Sequence, residues 1–302
     1  MILVVGATGS LGRLVTRKLL KAGEKVRAMT RNRSKADDLK ARGAHIILGD
    51  LRDRESLEFA VRGCKAVVAA AHSLLGRGSE SSHLIDDVGH RALIDAARAA
   101  EVRHFVYTSV IGAAPDHPID FWRTKARIER YLEESGMRYT IIRPTSFMEI
   151  HAWELIGKAV AEGKRVRLFG PGRNPRNFIA ADDVANAIVL ALRIPELRGR
   201  TIEIGGPENL TSREVVATFE KATGRRAKVS TIPLPLLRGA SAVVRRLHPG
   251  IGRVMKVGVL GETTDQTFDA TVLRTRLPIG FTTLADWARE RVSSTRDGLA
   301  RS

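Results

Sequence analysis

Ile2-Leu3-Val4-Val5-Gly6-Ala7-Thr8-Gly9-Ser10-Leu11-Gly12 opens the chain, and a helix-like stretch from Arg13 to Lys21 follows it. An apolar run, a glycine turn and a helix in that order form the context in which a glycine pattern points to a dinucleotide. Gly6 permits the tight turn off the strand and Gly9 lets backbone approach a pyrophosphate. Gly12 lets the helix pack closely on the strand, so that the unpaired N–H groups at its start face phosphate oxygens. Ala7, Thr8, Ser10 and Leu11 complete this cofactor-binding loop. Glycines that only make a turn would look the same in isolation, but here the same architecture repeats downstream.

Strand-like segments fall at Ile2 to Val5, Lys25 to Thr30, His45 to Leu48, Ala66 to Ala70, His104 to Ser109 and Tyr139 to Arg143. Helix-like segments lie between them, near Leu11 to Ala22, Ser34 to Arg42, Arg54 to Val61, Asp86 to Ala100 and Phe121 to Ser135. Short gaps and strict alternation predict an α/β fold with a doubly wound parallel, Rossmann-type sheet. Asp53 is placed as an N-cap, and Gly23, Gly43, Gly63 and Gly136 each follow a helix, where a left-handed residue is needed. Beyond Pro144 the rhythm loosens: Gly170 to Pro175 reads as an irregular loop, Ala180 to Leu192 as a helix and Thr201 to Pro207 as a final strand and turn. Thr211 with Glu214 has capping-box spacing. The expected organisation is a core over 1–145, joined again by 178–205, with 146–177 and 206–302 forming a smaller, interleaved C-terminal substrate lobe.

The 302 residues carry a formal net charge of +17 and a single cysteine, Cys64. One cysteine excludes an internal disulfide framework and fits a reducing, cytoplasmic setting, with Cys64 as a buried structural thiol. The start lacks a signal-peptide pattern, and the most apolar segments, Ala66 to Ala71 and Val184 to Leu192, are far shorter than the roughly 20 residues needed to span a bilayer. The arginines are scattered along amphipathic helices with no run of five, so nucleic acid is the weakest of the partner readings and rests on charge alone. No metal ligand set is assigned.

The motifs resemble the short-chain dehydrogenase/reductase superfamily, in its atypical branch of NmrA-like NAD(P)H-binding proteins and quinone reductases. The matching pieces are Gly6 to Gly12, Thr30-Arg31-Asn32-Arg33, Gly49-Asp50-Leu51, Tyr107-Thr108-Ser109, Lys125, Arg143-Pro144 and Phe178 to Ala185. They cover most of residues 1–225. The resemblance implies that Asp50 contacts adenine with Leu51 closing over the ring, and that Thr108 and Pro144 border the cofactor. N-cap chemistry for the next helix is the alternative for Asp50. Ala70 and Ala71 supply small side chains where backbone passes the cofactor, and His72 at the sheet edge is either a cofactor contact or a plain loop residue.

NADP(H) is the expected cofactor, with NAD(H) as the alternative. An NAD site ends its second strand with an acid that accepts from the ribose hydroxyls; Ala28 to Lys35 contains none. Arg31 offers a planar fork to a 2′-phosphate, with Arg33 and Lys35 adding charge. One such contact is worth about 1.5–3 kcal/mol, roughly a ten- to hundredfold preference. Ordinary surface cations opening a helix would carry the same residues.

Typical members of the superfamily place a catalytic tyrosine four residues before a lysine. Lys125 is present, but Phe121 occupies the tyrosine position, and none of Tyr107, Tyr131 and Tyr139 has the spacing to replace it. Lys125 and Ser109 are therefore the catalytic candidates, with Phe147 and the C-terminal lobe on the substrate side. Without the phenol, an electron-poor acceptor such as a quinone is favoured over an unactivated ketone. The alternative is an NADP(H) sensor or assembly factor that acts through a protein partner without turnover. In the C-terminal lobe, apolar residues at Leu234 to Leu237, Val243-Val244 and Ile251 to Val259 alternate with Arg238, Arg245, Arg246, Arg253 and Lys256. A mobile lid, a basic element touching membrane and a helical layer on the sheet edge all fit, and Ser293 to Ser302 is expected to fray.

Overall fold

The computed structural model describes residues 1–271 and 279–300. The chain divides into two compact units, one of Met1–Pro144 with Val184–Glu203, the other of Thr145–Asp183 with Ile204 onward.

The first unit is built on a seven-stranded sheet. Its strands are β1 (Ile2–Val5), β2 (Val26–Thr30), β3 (His45–Leu48), β4 (Ala66–Ala69), β5 (His104–Thr108), β6 (Tyr139–Pro144) and β10 (Arg200–Ile204), in spatial order β10-β6-β5-β4-β1-β2-β3. Each pairing from β3 through β6 is parallel. The order reverses between β1 and β4, so the carboxyl ends of those strands flank the crevice where open α/β sheets bind ligands. The doubly wound expectation is borne out. All four residues of β1 and of β4 are buried, as continuous apolar strands covered on both faces must be.

Helices α1 (Ser10–Lys21), α2 (Asp37–Ala41), α3 (Arg54–Val61), α4 (His90–Ala99) and α5 (Asp120–Glu134) connect the strands. Their ends follow local chemistry. Asp53 accepts from the Glu55 N–H at 3.1 Å and so caps α3, while Gly23, Gly43, Gly63 and Gly136 take φ between +69° and +94° past their helices. Arg27 of β2 donates to the Ala60 and Arg62 carbonyls at 2.6 and 2.8 Å, closing the far end of α3. Cys64 is buried beside it, and burial pushes its thiol up. The helix expected from Asp86 begins earlier, as a π-helical segment His83–Gly89 that runs into α4.

The second unit has a core of its own, in which Met148, Trp153, Ile156, Phe178, Val215 and Phe219 are buried. Strands β7 (Ser146–Phe147), β9 (Arg176–Ile179) and β11 (Asn209–Leu210) form one small sheet, and β8 (Val166–Phe169) pairs with β12 (Val229–Ile232). These are two to four residues long, interrupted by Arg and Asn, and give no alternation that a sequence reading could find. A further π-helical segment, Met148–Gly157, leads into α6 (Lys158–Ala161). Helix α7 (Ala181–Arg193) carries the chain back into the first unit, and α8 (Ser212–Thr223) starts with the expected capping box of Thr211 and Glu214.

Helices α9 (Leu234–Leu247) and α10 (Pro249–Thr263) pack on each other; the Arg245 side chain lies outside the described residues. Among the described residues no helix is long and apolar enough to cross a membrane. The last helix is α11 (Leu284–Ala300); of the stretch expected to fray, 301–302 and the side chains of 296–300 lie outside the described residues.

Candidate functional site

The turn after β1 has the geometry that its sequence requires. Gly6 stands at φ +79°, and a Cβ there would lie 2.8 Å from the Ala71 nitrogen. A Cβ on Gly12 would lie 2.2 Å from the Gly6 carbonyl oxygen, so only glycine lets α1 approach β1 this closely. Ala7 is fully buried, Leu11 nearly so, and Gly9 and Ser10 are exposed. Helix α1 has no side-chain cap and no acid in its first turn, which leaves its N-terminal dipole available to an anion. Thr8 and Thr30 hydroxyls meet at 3.3 Å across the two turns.

Arg13, which the sequence reading passed over, links these turns. It pairs with Asp38 and donates to the Lys35 carbonyl at 2.7 Å, while Arg17 reaches the other Asp38 oxygen at 2.6 Å. The two guanidinium groups hold the Asp38 carboxyl down to about 2. Only the i, i+4 spacing of the arginines on α1 hinted at a shared partner.

The expected phosphate-binding cations occupy different settings. Arg33 and Lys35 are exposed on a short 3-10 turn, Arg33–Ala36. Arg31 is half exposed but is paired with Glu80, whose other oxygen lies 2.8 Å from Arg52. Asp50 holds Arg52 through Nε at 3.0 Å and Nη2 at 2.5 Å, and these bonds keep the Asp50 carboxyl below its ordinary range. Asp50 is therefore an arginine partner rather than the cap of α3, a role that Asp53 fills. Leu51 is a buried side chain, 6 % exposed, and a Cβ on Gly89 would lie 2.7 Å from its own Cβ.

Ala70 and Ala71 are half-buried just past β4, and the Ala70 N–H continues the ladder to the Val5 carbonyl at 3.0 Å. His72 is exposed, its ring edge-on to Phe121 at 6.2 Å, and its Nδ1 lies 3.5 Å from the Leu74 N–H. The surrounding protein and the nearby Lys125 charge both lower its pKa.

Lys125 on α5 is 2 % exposed and donates to the Thr108 carbonyl at 3.0 Å. Its ammonium lies 4.7 Å from the Tyr107 ring centroid and 5.4 Å from that of Phe121. Burial lowers its pKa, opposed by the charges of Asp86 and Glu129. The Thr108 and Ser109 hydroxyls at the end of β5 are buried and have no hydrogen-bond partner among the described residues. Buried hydroxyls of this kind are satisfied by an ordered water or a bound ligand. Pro144 ends β6, its carbonyl accepting from the Ile111 N–H at 3.0 Å. The uncapped α1, the glycine cradle and the orphaned hydroxyls thus fit a dinucleotide on the first unit.

Phe147 belongs to the second unit, where its carbonyl lies 3.2 Å from His151 Nδ1. Burial, with the nearby Arg176 charge, lowers His151 to about 4.

Residues 1–248 match the profile of the NmrA-like family. The chain belongs to that family. Among NmrA-like relatives, it is 35% identical to the NAD(P)H azoreductase of Xenophilus azovorans over 236 residues, 78% of each chain. It is 33% identical to the photosystem II assembly factor Ycf39 of Trieres chinensis, over 80% of this chain and 75% of that one. An NADPH-dependent quinone oxidoreductase of Escherichia coli, solved in complex with NADPH, superposes over 98% of this NmrA-like chain and 99% of its own with a TM-score of 0.77 at 25% identity.

Proposed function

We propose that this protein binds NADP(H) at the carboxyl edge of β1, β2 and β4 and reduces an electron-poor, quinone-like acceptor without a tyrosine acid. The observation that carries this reading is Lys125. A buried ammonium is costly unless it is hydrogen-bonded or paired, and this one, held by the Thr108 carbonyl, stands by the end of β5 with its two buried hydroxyls, while Phe121 lies where the family resemblance implies a phenol. The likeness to an azoreductase and to a quinone reductase supports the reading.

Gly6, Gly9 and the start of α1 would hold the diphosphate; Arg31, with Arg33 and Lys35 near it, would face the adenosine phosphate; Lys125 with Thr108 and Ser109 would position the nicotinamide ribose. When bound, NADPH supplies the hydride. No side chain on α5 stands ready to give a proton at the phenol position, so the acceptor must be one that tolerates reduction with its proton drawn from water or a weak acid. NADPH oxidation followed at 340 nm with a quinone panel tests the reading; tight coenzyme binding with no turnover of any acceptor defeats it.

A second reading is favoured by Phe121 together with the likeness to assembly factors: an NADP(H)-responsive protein that works through a protein partner. It requires different conformations with NADP and NADPH, and identical hydrogen-exchange protection in the two states removes it.

A further inference from the structure

Glu80 was not foreseen, yet it sits where the adenosine phosphate is assigned. Its two carboxylate oxygens are divided between arginines from different loops: Oε2 accepts from Arg31, at the end of β2, and Oε1 lies 2.8 Å from Arg52, after β3. Arg52 is oriented by Asp50 on one side and donates to the Ser79 carbonyl at 3.2 Å on the other. Glu80 thus bridges two guanidinium groups from different loops, of which Arg52 is also held by Asp50 and the Ser79 carbonyl.

The loop after β4 is shaped to present this carboxylate. The Ser73 hydroxyl donates to the Glu80 carbonyl, and the Ser73 N–H donates to the buried Asp86 carboxylate at 3.0 Å. The Glu80 N–H returns to the Arg77 carbonyl at 3.0 Å. Gly76 is required, because a Cβ there would lie 1.7 Å from the Glu80 carbonyl oxygen, and Gly78 takes φ +56°. The backbone is therefore fixed while the ion pairs are not: the Arg31 and Glu80 side chains are 57 % and 42 % exposed, and exposed pairs exchange partners at small cost.

A carboxylate brings one charge and two oxygens to these arginines. A phosphomonoester brings nearly two charges and three oxygens, a better match for two planar donors. We infer that Glu80 occupies the 2′-phosphate position in the coenzyme-free protein, and that NADPH displaces it and gains Arg52 as a second phosphate ligand beside Arg31. NADH, having no phosphate there, leaves the Glu80 bridge closed, so Glu80 and Arg52 together set coenzyme specificity. This rests on the nucleotide reading above.

Dissociation constants for NADPH, NADH and the fragment 2′-AMP, measured by nicotinamide fluorescence and calorimetry, test the inference on wild type, Glu80→Gln, Arg52→Gln and Arg31→Ala. Glu80→Gln is expected to bind NADPH and 2′-AMP about three- to tenfold more tightly, having lost the competing charge, with NADH within about twofold. Arg52→Gln is expected to weaken NADPH and 2′-AMP by about tenfold or more, as loss of one charge-assisted bond implies, again with little effect on NADH. Unchanged or weaker NADPH binding by Glu80→Gln, or unchanged binding by Arg52→Gln, overturns the inference. If wild type binds NADPH and Arg31→Ala loses it selectively while Glu80→Gln changes nothing, only the displacement is wrong. If wild type binds neither NADPH nor 2′-AMP, the nucleotide reading falls with it.

Discussion

Phe121 stands one helical turn before Lys125, and its ring centroid lies 5.4 Å from the Lys125 ammonium. The lysine is buried and donates to the Thr108 carbonyl, while the ring beside it carries no hydroxyl. On the proposed reading, this lysine holds the nicotinamide ribose and the position one turn before it offers no phenolic proton.

Restoring the phenol should therefore widen the acceptor range. Phe121→Tyr is expected to raise NADPH-dependent turnover of carbonyl acceptors by about 10²-fold, the lower end of what a positioned general acid contributes, with quinone turnover changed by a few-fold at most. A carbonyl and quinone panel measured on both proteins decides; equal carbonyl rates would show that the added hydroxyl does not reach the acceptor.

Lys125→Met should separate binding from folding. The variant keeps the stem volume but leaves the Thr108 carbonyl without its donor, a loss of about 1–3 kcal/mol, and is expected to weaken NADPH by about tenfold. Fluorescence titration beside a urea melt measures both, and undiminished affinity would remove Lys125 from the coenzyme site.

Arg31→Ala should discriminate between coenzymes. Loss of a charge-assisted contact predicts NADPH affinity lower by roughly ten- to hundredfold, with NADH affected no more than about threefold. Equal losses for the two would show that Arg31 does not face the extra phosphate.

Gly12→Ala should be damaging although it adds one methyl group. That methyl would lie 2.2 Å from the Gly6 carbonyl, against backbone that cannot rotate away, so α1 must shift from β1 at a cost of about 2 kcal/mol or more. A lowered melting temperature together with lost NADPH binding is expected; a wild-type melting profile would contradict the close packing.

Stability should fall with acidification before the carboxylates titrate. Burial pushes His90 and His104 down to about 4, whereas an unfolded chain takes up those protons near pH 6.5. Between pH 6.5 and 4 the unfolded state binds more protons, so this contribution is complete above 6.5 and shrinks as pH drops toward 4, by on the order of 2 kcal/mol from fully buried His90 at pH 4.5. Urea midpoints at pH 7.5 and 4.5 measure it, and coincident midpoints would contradict the buried neutral imidazoles.

The first unit was legible because its signals are local. Ile2–Val5 and Ala66–Ala69 are apolar throughout, which a doubly covered parallel strand demands, and Gly6 and Gly12 stand where only a missing Cβ fits. Asp53, Thr211 and Gly136 mark helix ends with side chains or φ values that act within a few residues. The second unit was harder to read because Ser146–Phe147 and Asn209–Leu210 are strands of two residues, too short for any period to show.

Sequence alone therefore determined the parallel sheet, the glycine turn and the absence of a tyrosine four residues before Lys125, since each follows from spacing along the chain. Tertiary structure decided what the side chains meet: Glu80 between Arg31 and Arg52, and Asp38 between Arg13 and Arg17. Those partners are 21 to 49 residues apart in the two Asp38 and Arg31 pairings, and the choice among so many arginines depends on which loops the folded sheet brings together at its carboxyl edge, a distance that no local pattern encodes.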